Sequence, residues 1–200
     1  ASNGVLIKSA DALESLHKAE VILCDKTGTL TEGRMEVSDI ICFAVTERDA
    51  ASVAAALESA SEHPIGVGIV KYAKDNNIDF SDCSDYEAAP GGGISAVVKG
   101  TRYIIGNRNY IEQMGVEISA GEKSKIEELA KNGRTPVILA SSSPLAVIAL
   151  RDSVKVTAPE AVREFSNIGC DVIMLTGDNP ITAGAVAREL GIKNVEASVR

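Results

Sequence analysis

The sequence has no tryptophan, and aromatic side chains make up only 4% of its 200 residues. Surfaces that stack nucleobases need such rings, and surfaces that track nucleic-acid phosphates need clustered Lys and Arg. Neither is present: 28 acidic residues outweigh 20 basic ones for a net charge of −8, and the basic residues form no cluster. Nucleic acid and anionic membrane surfaces are therefore excluded as partners. No apolar run approaches the ~20 residues that cross a bilayer, and no secretory signal opens the chain. The opening Ala1-Ser2-Asn3-Gly4 has no initiator Met, as expected of a piece cut from a longer protein. Cys24, Cys42, Cys83 and Cys170 form no CxxC pair and have no second His beside them, which argues against zinc. They read as buried, reduced thiols of a cytosolic protein. There is no Gly-rich loop followed by Lys-Ser/Thr, so no P-loop phosphate site, and no internal repeat.

The 45% hydrophobic content can bury a sizeable core in one large domain or two small ones. Residues 9–18 carry apolar positions at helical spacing. Residues 20–25 read as a strand, Glu32-Gly33 as a linker, and Met35 to Val45 as β-rich. Helices are expected over 47–60, capped by Thr46, and from Pro64 to Asn76, with the proline at the first helical position. Short strands broken by Gly91-Gly92-Gly93 and Gly100 fill 83–106. A short helix runs from Asn107 to Met114, and another covers 119–131, where Ser119 and Glu122 form a capping box. Strands at 135–140 and 144–150 turn at Ser141-Ser142-Ser143. Beyond 157 the pattern becomes helix (Thr157–Ile168), strand (Asp171–Leu175), helix (Ile181–Leu190) and a short strand near Val195, an alternation that implies a parallel sheet. The fold class expected is α/β. Residues 1–33 and 150–200 form a parallel-sheet platform, and 34–149 form an inserted antiparallel α+β domain. Gly33 and Arg151-Asp152 are the hinge candidates.

The most informative stretch is Asp25-Lys26-Thr27-Gly28-Thr29-Leu30-Thr31, directly after the apolar run Val21-Ile22-Leu23-Cys24. Ligands of open α/β sheets bind at the carboxyl ends of the strands. An acid there, followed by a turn with free backbone N–H groups, can act as a nucleophile while the amides cradle a phosphate. An ordinary Asx-turn is the plain alternative. Thr176-Gly177-Asp178 follows a second apolar strand, Val172-Ile173-Met174-Leu175, and in a parallel sheet it reaches the same edge as Asp25. A Thr176 hydroxyl there could donate to phosphoryl oxygens; taken alone, turn and cap chemistry explains TGD equally well. Ser61-Glu62-His63-Pro64 and the spaced pair Gly91 and Gly93 belong to the middle of the chain. His63 reads as a capping residue or a ligand contact, and the glycines as a place where a planar ligand nears the backbone. Asp152 reads equally as a solvated loop acid or a functional one.

DKTGTLT is similar to the phosphorylation motif of the P-type ATPases, pumps that form an aspartyl-phosphate, and TGDN resembles their second motif. Glu58, SEHP and GxG resemble the nucleotide-binding domain of the heavy-metal-transporting class. The resemblance covers essentially the whole chain. It implies a haloacid-dehalogenase-like platform, incomplete here, that carries the inserted nucleotide-binding domain. It implies that ATP is bound with His63 against adenine and Glu58 at its edge, and with Gly91, Gly93 and Ile94 lining the pocket floor. Asn107, paired with Gly106, and Asp152 contribute to the same site. It also implies transfer of the γ-phosphate to Asp25. Lys26 sets the electrostatics, and Thr27, Thr29 and Thr176, with Gly177 and Asp178, surround the phosphoryl group. The implied partners are membrane, actuator and remaining phosphorylation-domain segments, at the cytoplasmic face of the cell membrane.

The family's phosphoryl-neutralising lysine and its GDGxND motif do not occur in these residues. Mg²⁺ would then have the Asp25 carboxylate, the Thr27 carbonyl and water as ligands, and little turnover is expected from the chain alone. Two other readings stand beside a working ATPase: a nucleotide-binding module without turnover, and a phosphatase of the same superfamily. The phosphatases place a second acid two residues after the nucleophile. Here that residue is Thr27.

Overall fold

The computed structural model describes residues 18–199 together with Ser9 and Asp11; the helix expected over 9–18 lies outside the described residues apart from those positions. In chain order the elements begin with β1 (Val21–Asp25), a wide turn (Lys26–Leu30), β2 (Thr31–Cys42), α1 (Glu47–Glu58) and α2 (Pro64–Asp75). Next come β3 (Ser84–Ala89), β4 (Gly93–Val98), β5 (Thr101–Gly106), α3 (Arg108–Gln113), α4 (Ala120–Lys131), β6 (Thr135–Ala140) and β7 (Pro144–Val154). The chain closes with α5 (Ala158–Asn167), β8 (Asp171–Leu175), α6 (Pro180–Leu190) and β9 (Asn194–Glu196).

Helix starts follow local chemistry. Thr46 accepts from the Asp49 N–H at α1, and Asn179 accepts from Ile181 and Thr182 at α6. Ser119 and Glu122 form the expected reciprocal capping box at α4. Such caps satisfy N–H groups that the helix itself leaves without partners.

The strands form two sheets. One is parallel, in the order β1-β8-β9; the other has six antiparallel strands in the order β2-β7-β6-β5-β4-β3. In the larger sheet Val137, Leu139, Ala146, Ile148 and Leu150 face a core shared with α1 and α2. The alternate residues Ile138, Ala140, Val147 and Ala149 face a second core with Tyr110, Ile111, Ile126 and Leu129 of α3 and α4. Both faces of β6 and β7 are thus covered, which is why these strands read as apolar runs. Each fully buried Leu or Ile here contributes about 1.5–3 kcal/mol. A third core places Met174, Val172 and Leu30 against Val162 of α5 and Ala183, Val186 and Leu190 of α6.

One expectation needs correction: Glu32-Gly33 is no linker but part of β2, which runs unbroken from Thr31. Across from it, β7 extends beyond the expected 144–150, through Arg151-Asp152 to Val154. The ladder survives the glycine because β2 and β7 pair Thr31 with Val154 and Met35 with Asp152, with a bulge between. Gly33 occupies that bulge at φ +72°, and a Cβ there would lie 3.1 Å from the Gly28 Cα. Bulges of this kind favour glycine. The larger sheet side also touches α6: the Thr182 hydroxyl donates to the Arg134 carbonyl at 3.0 Å, and Arg151 of β7 donates to both carboxylate oxygens of Glu189.

Candidate functional site

The parallel register pairs Asp25 with Leu175, so the segments after β1 and β8 leave the sheet side by side. Asp25 is exposed, while Cys24 turns the other way and packs on the platform core, as strand alternation requires. The turn after Asp25 is closed by the Thr31 N–H donating to the Lys26 carbonyl. Within it Thr27 is extended (φ −76°, ψ 119°) and Gly28 is left-handed (φ 77°, ψ −12°).

Lys26 is 4% exposed, and its Nζ lies 2.7 Å from Asp178 Oδ2. This ion pair ties the two post-strand segments together. Thr176 is also buried; its hydroxyl accepts from the Asp178 N–H at 3.1 Å, and its own N–H donates to the Glu196 carbonyl at 3.0 Å. Its hydroxyl proton is left to donate elsewhere. Gly177 is exposed beside it. Asp25, Lys26, Thr27, Thr176, Gly177 and Asp178 therefore share one sheet edge.

Among the described residues no group of three His, Cys, Asp or Glu side chains is arranged to hold a metal. The Asp25 carboxylate and the Thr27 carbonyl are two hard oxygen donors. That set fits a Mg²⁺ ion that keeps most of its water and arrives with a phosphate, rather than one caged by protein.

The remaining candidates lie in the larger unit. Glu58 ends α1, 6% exposed, with its Oε2 against the first turn of α2: a Cβ on Gly66 would lie 2.4 Å from that oxygen. Burial pushes the Glu58 carboxyl above its ordinary value, opposed in part by a hydrogen bond from Ser61. On β3, burial raises the Tyr86 phenol, and the charge of Glu58 adds to the shift. His63 is exposed and caps α2, its Nδ1 accepting from the Ile65 N–H at 3.3 Å.

Gly91 and Gly93 flank the β3–β4 turn but differ in kind. Gly91 has φ +69° and open space where a Cβ would stand. At Gly93 a Cβ would lie 2.2 Å from the Ile105 carbonyl and 2.5 Å from the Tyr110 ring. That side of Gly93 is filled by the protein itself. Ile94 is buried in the core beneath α1 and α2. Asn107 secures the turn: its Nδ2 donates to the Gly91 carbonyl at 2.8 Å, and its Oδ1 accepts from the Tyr110 N–H at 2.9 Å.

Asp152 does not join this group. It is buried behind the Lys26–Leu30 turn, which overturns the solvated-loop reading. Its Oδ2 is 2.6 Å from the Thr31 hydroxyl, and its Oδ1 accepts from the Gly33 and Arg34 N–H groups at 3.0 and 3.2 Å. Sequence reasoning gave Thr31 no role beyond its place in the motif and missed Lys155, whose Nζ donates to the Gly28 carbonyl at 2.8 Å. The signal for Lys155 was the spacing of acid and lysine in Asp152-Ser153-Val154-Lys155.

Residues 19–199 match the haloacid dehalogenase-like hydrolase family. The whole chain is 40% identical over 201 residues to a silver exporting P-type ATPase of Salmonella typhimurium, covering 24% of that protein. It is 37% identical over 200 residues to copper-exporting P-type ATPase B of Archaeoglobus fulgidus, covering 28% of it. The chain thus spans about a quarter of the length of these relatives. Among solved structures, a zinc-transporting PIB-type ATPase in its E2·Pi state superposes over 99% of the chain and 32% of its own, with a TM-score of 0.77 and 32% identity. The catalytic domain of the CPx-ATPase CopB-B shares the fold at a TM-score of 0.70 and 21% identity, covering 99% of this chain and 70% of that domain.

Proposed function

The chain belongs to the haloacid dehalogenase-like hydrolase family, and from that premise we propose that it is the ATP-binding and phosphoryl-accepting part of a metal-transporting P-type ATPase. The observation that carries this is the Asp25 turn. A DKTGTLT segment leaves the end of a parallel strand in register with the strand that delivers Thr176-Gly177-Asp178. The relatives are named as silver and copper exporters, which supports a soft metal ion as cargo.

In this reading residues 1–33 and 150–200 are the phosphorylation unit, and 34–149 the nucleotide unit. ATP sits at Glu58, His63, Gly91 and Asn107. The Asp25 carboxylate attacks the γ-phosphorus in line, the bond to the ADP oxygen breaks, ADP leaves, and Asp25 carries an acyl phosphate. The Thr176 hydroxyl and the turn amides donate to the phosphoryl oxygens. Lys26, held by Asp178, keeps one positive charge buried beneath the turn and fixes the two loops at a constant distance. The Asp25 carboxylate and the Thr27 carbonyl would hold Mg²⁺, which would supply charge neutralisation to the phosphates. Thr27 stands where the phosphatases of this superfamily carry their second acid, which favours a persistent acyl phosphate over rapid hydrolysis. No helix among the described residues is long and apolar enough to cross a membrane. The membrane path, the actuator and further phosphorylation-unit segments are the partners of this part, at the cytoplasmic face of the membrane.

The test is labelling from γ-labelled ATP. The wild-type pump should take up acid-stable, hydroxylamine-sensitive label, and Asp25→Asn should take up none. Equal label in both would falsify the assignment. Calorimetric ATP titration of His63→Gln should show weaker binding than wild type.

A further inference from the structure

One cation reaches the acceptor turn from outside it. Lys155 follows β7 directly, and its Nζ donates to the Gly28 carbonyl at 2.8 Å. Its backbone N–H donates to the Leu30 carbonyl at 3.0 Å. Three residues earlier, Asp152 holds Thr31, Gly33 and Arg34. The Thr31 hydroxyl lies 2.9 Å from the Lys26 carbonyl and accepts from the Gly28 N–H at 3.3 Å. The four residues Asp152–Lys155 therefore grip both the middle and the end of the turn that begins at Asp25.

We propose that Lys155 is a positioning residue for phosphoryl transfer, one that sets the plane of the Gly28–Thr29 peptide and ties it to the strand returning from the larger sheet. This rests on the reading of Asp25 as the phosphoryl acceptor. A trans peptide holds its C=O and N–H in one plane on opposite sides. Fixing the Gly28 oxygen on Lys155 therefore turns the Thr29 N–H away from the lysine and holds it there. The restraint matters at this position because Gly28 has no Cβ to limit the ψ rotation that turns this peptide. The ammonium supplies a charge-assisted hydrogen bond, stronger than a neutral one. Because β7 pairs with β2 and ends one residue before Lys155, the ammonium stands at the foot of that ribbon and ties it to the turn. A partly exposed bond of this kind contributes little to folding. Its effect is expected on the geometry of the reacting acid, where small misplacements are costly.

Lys155→Met and Lys155→Arg are compared with wild type in the whole pump, measuring the rate of aspartyl-phosphate formation and, separately, equilibrium nucleotide affinity. Lys155→Met should form the acyl phosphate about tenfold more slowly, the loss of one charge-assisted bond, with its Kd for ATP within about twofold of wild type. Lys155→Arg should recover most of the rate. Lys155→Gln is the second neutral variant, used in place of Lys155→Met if that protein does not fold. An unchanged rate in the neutral variant overturns the proposal. So does a parallel loss of nucleotide affinity, which marks a general defect in structure, or a Lys155→Arg as slow as the neutral variant. If wild type itself takes up no label on Asp25, the acceptor reading falls and the proposal with it.

Discussion

At the acceptor turn, the bonds that set the geometry come from far along the chain: Lys26 to Asp178, Thr31 to Asp152 and Lys155 to Gly28 join residues 152, 121 and 127 positions apart. At the nucleotide-side candidates the bonds are local. His63 Nδ1 holds Ile65, Asn107 Oδ1 holds Tyr110, and Asn107 Nδ2 holds Gly91, at separations of 2, 3 and 16. The glycine turn can form from its own surroundings. The acceptor turn reaches its shape only when the chain returns through Asp152–Lys155 and again through Thr176–Asp178. A site assembled late and from afar is sensitive to the position of those returning segments, and a locally capped one is not.

The sharpest way to break this comparison starts on the local side. Gly93→Val puts atoms where the Ile105 carbonyl and the Tyr110 ring already stand, and should cost about 3 kcal/mol or more in urea unfolding. Gly91→Ala meets open space and only an unfavourable φ, so about 1 kcal/mol is expected. Equal losses would mean that the two glycines serve the same purpose. On the distant side, Lys26→Met leaves Asp178 without its cation. Breaking a buried pair costs about 3–5 kcal/mol; Asp178 is 20% exposed, so about 2–3 kcal/mol is expected. A double-mutant cycle with Asp178→Asn measures the coupling, and a value below about 0.5 kcal/mol would show the tie to be energetically idle.

The smallest effect is a slope. Burial raises the Glu58 carboxyl above its ordinary value of 4.5. The folded chain therefore holds that proton more tightly than the unfolded chain does. Its contribution to stability is intact below the unfolded value and is lost as pH rises through the folded one. Glu58→Gln should therefore melt higher than wild type at neutral pH, with the gap closing below about pH 4.5. Parallel melting curves across that range would show that ionisation of Glu58 carries no cost.

Much of the architecture is readable from the chain because its signals are local. Thr46 and Ser119 mark helix starts, and each makes the expected cap. The apolar runs of 135–140 and 144–150 read as strands because both faces are buried. The location of Asp25 after a strand, and its meeting with the TGD segment, follows from parallel pairing alone. What escaped reading depends on distant partners. Gly33 looked like a break, yet its N–H is held by Asp152, 119 positions away. Asp152 looked equally solvated or functional because nothing near it in sequence reveals its three donors. The close packing of Gly93 against Tyr110 was equally unreadable, since that ring belongs to a later helix.

The β2–β7 ribbon has a mechanical consequence. Beyond its first irregular joint, between Thr31 and Met35 beside the turn that follows Asp25, β2 runs on from Met35 to Cys42, with a second irregularity between Val37 and Asp39. At ~3.4 Å per residue that arm is about 27 Å long. A swing of about 10° at the first joint would carry the far tip by about 5 Å for an arm of this length, while the atoms at the fulcrum hardly move. Leverage of this kind would displace the far end of the larger sheet and leave the Asp25 turn undisturbed, provided the fulcrum is pinned. Asp152 and Lys155 are the pins.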